Sequence, residues 1–113
     1  NYKLSLNIAF NYGFKDEIKN IIKKIKNQKN NINFKNDQEF NRLFFLGSQP
    51  DPDILIRTGG YKRLSNFMLY QVSFTELFFS NKLWPNYNKN DLRSVLSNYS
   101  KIDRKFGIWS FKI

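Results

Sequence analysis

Two arginines and a serine stand close together in the middle of the chain. Arg57 and Arg63 are six residues apart and bracket a Gly-Gly pair, and Ser65 follows two residues later. Guanidinium groups bind phosphate oxygens bidentately, and glycine lets a backbone come close to an anion. Residues 57–65, called the arginine loop below, therefore predict a phosphate-binding or diphosphate-binding site. The alternative interpretation is a surface turn whose arginines are only solvated.

Glu76 is the second residue whose type and surroundings could support chemistry. It stands in an apolar and aromatic stretch, immediately before Leu77-Phe78-Phe79. A carboxylate in such a place is suited to binding Mg²⁺, and it is equally suited to pairing with an arginine. An ion pair without a metal is the commoner of the two arrangements, and the residues by themselves leave both open.

The composition limits which other kinds of site the chain can hold. It has 113 residues, of which 41% are hydrophobic and 18% aromatic, enough for one core and too many for a disordered chain. It contains no cysteine and no histidine, which excludes disulfides, thiolate and imidazole metal ligands, and Ser-His hydrolase triads. No apolar run approaches the roughly 20 residues that a membrane-spanning helix needs.

The net charge of +10 favours an anionic partner, which could be a nucleic acid, a phosphorylated substrate or a membrane surface. Lysine accounts for most of the 19 basic residues. Lysine is also abundant in proteins with AT-rich coding, so the alternative explanation for the charge is codon usage. The few arginines are therefore the more informative cations.

Strands and helices are predicted in alternation, and they determine where the arginine loop lies. Three apolar segments predict strands: residues 4–10, 53–57 and 77–79. Because ligands gather at the carboxyl ends of parallel strands, the loop after the second predicted strand is well placed for binding.

Four segments predict helices. Residues 16–27 place four isoleucines at the spacing of one helix face. A second helix begins near Asp37, a short third helix has Ser65 as its N-cap, and the last helix begins at Asp91. The order β-α-α-β-α-β-α predicts the α/β class, with a mostly parallel sheet flanked by helices. Three strands are few for such a domain, so we expect this chain to be part of a larger single domain.

A series of motifs follows in a fixed order along the chain. They are Asn11-Tyr12-Gly13, PDILIRTGG at residues 52–60, RLSNFML at residues 63–69, Gln71, ELFF at residues 76–79, Leu83-Trp84-Pro85 and Arg104-Lys105-Phe106-Gly107. Together they resemble the C-terminal signature of the cis-prenyltransferases, the undecaprenyl and dehydrodolichyl diphosphate synthases. An ordered set of this length is far more specific than a single glycine-rich motif.

The resemblance implies a prenyl-group transferase that condenses isopentenyl diphosphate onto an allylic, farnesyl-type diphosphate with cis geometry. Carried over by position, Arg57, Arg63 and Ser65 bind the isopentenyl diphosphate, and Glu76 helps to place Mg²⁺ at that site. The resemblance assigns no catalytic residue to this segment. It further implies a homodimer, in a cytoplasmic or organellar location, with peripheral association with a membrane surface.

By the same resemblance, residues 1–113 form the C-terminal half of the family's domain. The N-terminal half, with its Asp-Gly-Asn metal-binding aspartate, is absent, so we expect the segment alone to be inactive. The chain also departs from the family pattern. Phe14-Lys15 stands where the family usually has Gly-Arg, Tyr61 replaces an acidic residue, and Tyr70 replaces a tryptophan.

Two other functions are compatible with parts of the sequence. The first is a non-catalytic partner subunit of a cis-prenyltransferase, which keeps the fold and loses the chemistry; the intact set of Arg57, Arg63, Ser65 and Glu76 argues against it. The second is a basic nucleic-acid-binding domain, suggested by the charge and the aromatic residues. Because the arginines lie in a defined turn rather than along a stripe, we expect no nucleic-acid partner.

Overall fold

The computed structural model describes residues 3–28 and 31–108. Its elements, in chain order, are α1 (Phe14–Asn27), α2 (Asp37–Asn41), β1 (Ile54–Arg57), β2 (Glu76–Phe79), a 3₁₀ turn (Trp84–Asn86) and α3 (Lys89–Tyr99). β1 and β2 pair in parallel, which confirms the predicted α/β class with a parallel sheet. None of the helices in the described ranges is both long enough and apolar enough to cross a membrane.

The chain divides into two compact units. The first contains Asn1–Pro50 and Asn66–Met68, and the second contains Asp51–Ser65 and Leu69–Ile113. The arginine loop and both strands therefore belong to the second unit. Asn66, the residue after Ser65, begins the short stretch Asn66–Met68 that belongs to the first unit.

The first unit has its core where α1 meets the turns after α2. Ile21 of α1 is buried together with Leu43 and Phe44. Half-buried apolar side chains surround these three: Phe14, Ile18, Ile25, Ile32 and Phe40. The isoleucine spacing thus identified the buried face of α1 correctly, although Ile22 at its margin is 59% exposed. α2 begins at Asp37, as predicted, and ends at Asn41.

The second unit is organised by its two parallel strands. Ile54 lies opposite Glu76 and Arg57 lies opposite Phe79, so the two strands lie side by side and begin and end at the same levels. Backbone bonds extend the pairing at both ends: Glu76 N donates to Asp53 O at 3.0 Å, and Ser80 N donates to Arg57 O at 2.8 Å. This alignment places Arg57 and Glu76 at opposite ends of the sheet.

α3 begins earlier than predicted, because Asn88 rather than Asp91 caps it. The Asn88 side chain accepts hydrogen bonds from the backbone N–H groups of Asn90 and Asp91. The Asp91 carboxylate in turn accepts from Asn88 N at 2.9 Å, which completes a capping box. Asp91 also pairs with Lys82, with oxygens 2.8 and 2.9 Å from Nζ.

The strand predicted at residues 4–10 is not formed. Its apolar side chains are almost fully exposed, at 95% for Leu4, 81% for Leu6, 81% for Ile8 and 93% for Phe10. In the described part of the chain, the sheet consists of β1 and β2 alone. Alternation in a sequence specifies which side chains share a face, but a strand also needs a neighbour to bond its backbone. Residues 4–10 have the pattern without the neighbour.

The short helix predicted after Ser65 is also wrong. Ser65, Asn66 and Met68 have φ angles of 49°, 64° and 45°, in the left-handed region. A right-handed helix cannot be built from such residues. The connection from β1 to β2 therefore runs through turns, and Ser65 is a turn residue rather than an N-cap.

Candidate phosphate-binding site

Arg57 closes β1 and holds the arginine loop together. One terminal nitrogen of its guanidinium donates to Ser65 Oγ at 2.8 Å and also to the carbonyl oxygen of Arg63. The backbone of Arg57 is itself fixed by the bond from Ser80 N. The structure thus brings together all three residues that the sequence singled out in this loop, at the carboxyl end of β1.

The two glycines turn the loop sharply. Gly59 and Gly60 have φ angles of 92° and 84°, which residues with a side chain rarely adopt. Gly59 N donates to Lys82 O at 2.8 Å, and Gly60 N donates to Ser80 O at 3.0 Å. Their N–H groups fasten the loop to the segment after β2. These two N–H groups are therefore already engaged within the protein.

Both guanidinium groups of the arginine loop lie near one aromatic ring. The centre of the Tyr61 ring lies 4.4 Å from Cζ of Arg63 and 5.6 Å from Cζ of Arg57. Both distances fall in the range of favourable cation–π contacts. In the sequence, Tyr61 stands out only as a departure from the family pattern, and nothing there indicates its contact with two arginines.

Glu76 lies away from the arginine loop within this chain. It is the first residue of β2, whereas Arg57 is the last residue of β1. At about 3.3 Å per strand residue, the register separates their levels by about 10 Å. Within residues 3–28 and 31–108, the Glu76 carboxylate forms an ion pair with Arg104, whose Nε is 3.9 Å from Oε1.

Arg104 joins several parts of the second unit at this end of the sheet. Its side chain is only 14% exposed, and its terminal nitrogens donate to the Asp53 carboxylate, to Tyr99 Oη at 3.0 Å and to Phe74 O at 2.9 Å. The hydrogen bond to Asp53 raises the pKa of Arg104 above its ordinary value. The sequence does not indicate this cluster, because Asp53 and Arg104 stand 51 residues apart.

The described residues offer a magnesium ion limited coordination. No group of three or more acidic side chains that could hold a metal occurs within residues 3–28 and 31–108. Mg²⁺ is often held by one or two carboxylates, with substrate phosphates and water completing the shell. Glu76, with a side chain 31% exposed, fits such a site as a single ligand.

Glu17, in the first turn of α1, is a buried carboxylate of the first unit. It is 2% exposed, accepts from Phe45 N at 2.8 Å, and accepts from the Tyr12 hydroxyl. Burial and the hydrogen bond to Glu17 raise the pKa of Tyr12 well above its ordinary value. Glu17 lies one helical turn before Ile21, so its place on the buried face could have been predicted.

The chain has relatives of known family in sequence and in structure. Residues 1–107 match the model of the undecaprenyl diphosphate synthase family. An isoprenyl transferase of Clostridium acetobutylicum is 43% identical over 95% of this chain and 44% of its own length. One from Aquifex aeolicus is 43% identical over 92% of this chain and 44% of its own length.

Two solved structures share the fold. A probable undecaprenyl diphosphate synthase from Campylobacter jejuni superposes with a TM-score of 0.72 and 32% identity. Lavandulyl diphosphate synthase from Lavandula x intermedia, in complex with dimethylallyl diphosphate, superposes with a TM-score of 0.75 and 32% identity. Each superposition covers 86% of this chain and 44% of the other chain. The chain thus spans a little under half the length of the relatives it matches.

Proposed function

Because this chain belongs to the undecaprenyl diphosphate synthase family, the cis-prenyltransferases, we propose that it is the C-terminal half of such an enzyme. The complete enzyme condenses isopentenyl diphosphate onto an allylic, farnesyl-type diphosphate with cis geometry, and yields a polyprenyl diphosphate. It acts as a homodimer that associates peripherally with a membrane surface. The segment described here supplies the site for isopentenyl diphosphate and is inactive alone.

The arginine loop is the observation that carries this proposal. Arg57, Arg63 and Ser65 lie within one tight loop at the carboxyl end of a parallel strand, joined by the hydrogen bonds of Arg57. Two guanidinium groups and a hydroxyl match the oxygens of one diphosphate in charge and in hydrogen-bonding type. The position agrees with the general location of ligands in open parallel sheets.

The chemistry assigned to these residues is binding and orientation. Arg57 and Arg63 neutralise the diphosphate of isopentenyl diphosphate, and the Ser65 hydroxyl donates to one of its oxygens. Held in this way, the homoallylic substrate keeps its alkene directed at the allylic carbon, which saves the entropy of a bimolecular encounter. The diphosphate that leaves is the allylic one, and its binding groups belong to the other half of the enzyme.

Glu76 is proposed as a ligand of Mg²⁺, an ion that neutralises diphosphate oxygens when bound. Its carboxylate is partly accessible, and the distance of 3.9 Å from Arg104 Nε to Glu76 Oε1 is too long for a strong hydrogen bond, so the carboxylate can accept a further partner. Since Glu76 and Arg57 occupy opposite ends of the sheet, one copy of this segment does not bring them to the same diphosphate. The remaining ligands come from groups outside the described residues.

The proposal is tested with the full-length protein, comprising this segment and the half that precedes it in the relatives. The measurement is the incorporation of labelled isopentenyl diphosphate into polyprenyl diphosphate, with farnesyl diphosphate and Mg²⁺ present. Arg57→Ala and Arg63→Ala should reduce incorporation, and Arg93→Ala, which removes an exposed arginine of α3, should not.

The same assay separates the enzyme from a non-catalytic partner subunit. A partner subunit gives no product by itself and stimulates a second, catalytic protein. Failure of the full-length protein to incorporate isopentenyl diphosphate, with stimulation of a separate cis-prenyltransferase, would therefore overturn the enzymatic function and support the partner function.

A further inference from the structure

We propose that Tyr61 is a positioning residue, which holds the guanidinium groups of Arg57 and Arg63 ready for a diphosphate before that ligand binds. The inference rests on the proposed function of the arginine loop and adds to it a residue that does not itself touch the substrate. It depends on contacts within the second unit alone.

The geometry of the ring supports this role. Cζ of Arg63 lies 4.4 Å and Cζ of Arg57 lies 5.6 Å from the centre of the Tyr61 ring. Cation–π attraction operates within about 6 Å of a ring centre, so both cations benefit from the same ring. Tyr61 is 54% exposed and Arg63 is exposed as well, so a ligand can reach the Arg63 guanidinium beside the ring.

A contact with the Tyr61 ring offsets part of the cost of holding two like charges in one short loop. The guanidinium groups repel one another, and their long side chains lose rotamer freedom when they are held together. Arg57 is already fixed by its hydrogen bonds to Ser65 Oγ and the Arg63 carbonyl oxygen. For the Arg63 guanidinium, the closer of the two ring contacts supplies the attraction that restricts its movement.

A ring suits this task because of where a guanidinium carries its donors. Stacking uses the flat face of the group, whereas all five N–H donors lie in its plane, along the edge. Tyr61 can therefore orient Arg63 without occupying the donors that a phosphate oxygen needs. A carboxylate at the same position would take some of those donors and cancel part of the positive charge.

The test uses the full-length protein and two substitutions, Tyr61→Phe and Tyr61→Leu. The probe is inorganic pyrophosphate, with its Kd measured by calorimetry; KM for isopentenyl diphosphate and kcat are measured separately. Tyr61→Leu removes the π face, and the Kd and KM should rise about threefold to tenfold while kcat changes little. Tyr61→Phe keeps the face and should bind pyrophosphate as the unaltered protein does.

The outcomes separate this inference from the proposed function. If Tyr61→Leu binds pyrophosphate as tightly as the unaltered protein, or if Tyr61→Phe loses as much affinity as Tyr61→Leu, the stacking role is wrong. In either case, weaker binding by Arg57→Ala still supports the diphosphate site. If the unaltered protein binds neither pyrophosphate nor isopentenyl diphosphate, the proposed function fails, and the role of Tyr61 fails with it.

Discussion

Asn66 caps the first helix at Lys15, although the two residues are 51 positions apart: its Oδ1 accepts a hydrogen bond from Lys15 N at 3.0 Å. Its carbonyl oxygen accepts a second one, from Phe14 N at 2.8 Å. The residue at the N-cap of α1 is Gly13, which has no side chain to perform this task. Asn66 therefore satisfies two N–H groups that the first turn would otherwise leave unpaired.

We predict that Asn66→Ala lowers the free energy of unfolding by about 1 kcal/mol for the lost N-cap acceptor, with a further cost because alanine tolerates a φ of 64° less well than asparagine. Asn66→Asp, which keeps an acceptor, should be close to the unaltered protein. Gly13→Ala should also destabilise, because the added Cβ would lie 2.8 Å from the Asn66 side-chain nitrogen. Urea denaturation measures all three, and Asn20→Ala, at an exposed position of α1, is the control. If Asn66→Ala lowered the free energy of unfolding no more than the control does, the capping role would be wrong.

The raised pKa of Tyr12 predicts a loss of stability at alkaline pH. Burial and the Glu17 hydrogen bond raise the pKa in the folded protein above the ordinary value of 10.0. Above pH 10, the folded state therefore retains a proton on Tyr12 that the unfolded state loses. The stabilisation by the protonated Tyr12 is complete below pH 10 and declines as the pH rises above it. The stability difference between the unaltered protein and Tyr12→Phe, measured by urea denaturation from pH 8 to 11, should shrink above pH 10. A constant difference would contradict the assignment.

Removing either guanidinium of the arginine loop should weaken the use of isopentenyl diphosphate. Charge-assisted hydrogen bonds contribute roughly 1.5–3 kcal/mol each, so Arg57→Ala and Arg63→Ala should lower kcat/KM for this substrate by about 10-fold to 100-fold or more. The KM for the allylic substrate should change much less. Steady-state kinetics of the full-length protein, with each substrate varied in turn, measure both effects. An increase confined to the allylic KM would show that the site has been assigned to the wrong substrate.

Glu76 and Asp53 provide a matched pair for testing the metal. Both carboxylates contact Arg104, Glu76 at 3.9 Å from its Nε and Asp53 through a hydrogen bond. If Glu76 is a ligand of Mg²⁺, Glu76→Gln should raise the Mg²⁺ concentration needed for half-maximal activity, because it removes ligand charge and keeps the shape of the side chain. Asp53→Asn should leave that requirement unchanged.

A second readout tests Glu76 independently of turnover. Calorimetric titration of the full-length protein with isopentenyl diphosphate, with and without Mg²⁺, should show a smaller Mg²⁺-dependent gain for Glu76→Gln than for Asp53→Asn. Equal effects of the two substitutions on both readouts would mean that Glu76 acts through its ion pair with Arg104 and not through a metal.

The exposed segment at residues 4–10 predicts poor behaviour of the 113-residue chain in isolation. Leu6 and Ile8 are each 81% exposed, and Leu4 and Phe10, at alternate positions of the same segment, are exposed as well. Such exposed apolar segments promote self-association. We expect the isolated chain to bind a hydrophobic dye and to sediment as more than one species, and Leu6→Ser with Ile8→Ser should reduce both. A monodisperse, cooperatively melting monomer that binds no dye would contradict this expectation.

The sequence pattern correctly predicted the features that depend on residues close together in the chain. The isoleucine spacing predicted α1, because helix periodicity and burial involve residues three and four apart. The apolar runs predicted β1 and β2, and the turn chemistry after β1 identified Arg57, Arg63 and Ser65 as neighbours, since they lie within nine residues of one another. The ordered motifs indicated the family, which the comparison with known proteins then established.

Tertiary structure decided everything that depends on residues far apart in the chain. Pattern alone could not show that residues 4–10 lack a neighbour, because alternation does not name the partner of a strand. It could not show that Asn66 caps α1 or that Arg104 contacts Asp53, since each pair is separated by 51 residues. The resemblance assigns Glu76 to the same substrate site as the arginine loop, and only the register shows that the two lie at opposite ends of the sheet within one chain. These relationships arise only when the backbone brings distant groups within hydrogen-bonding distance.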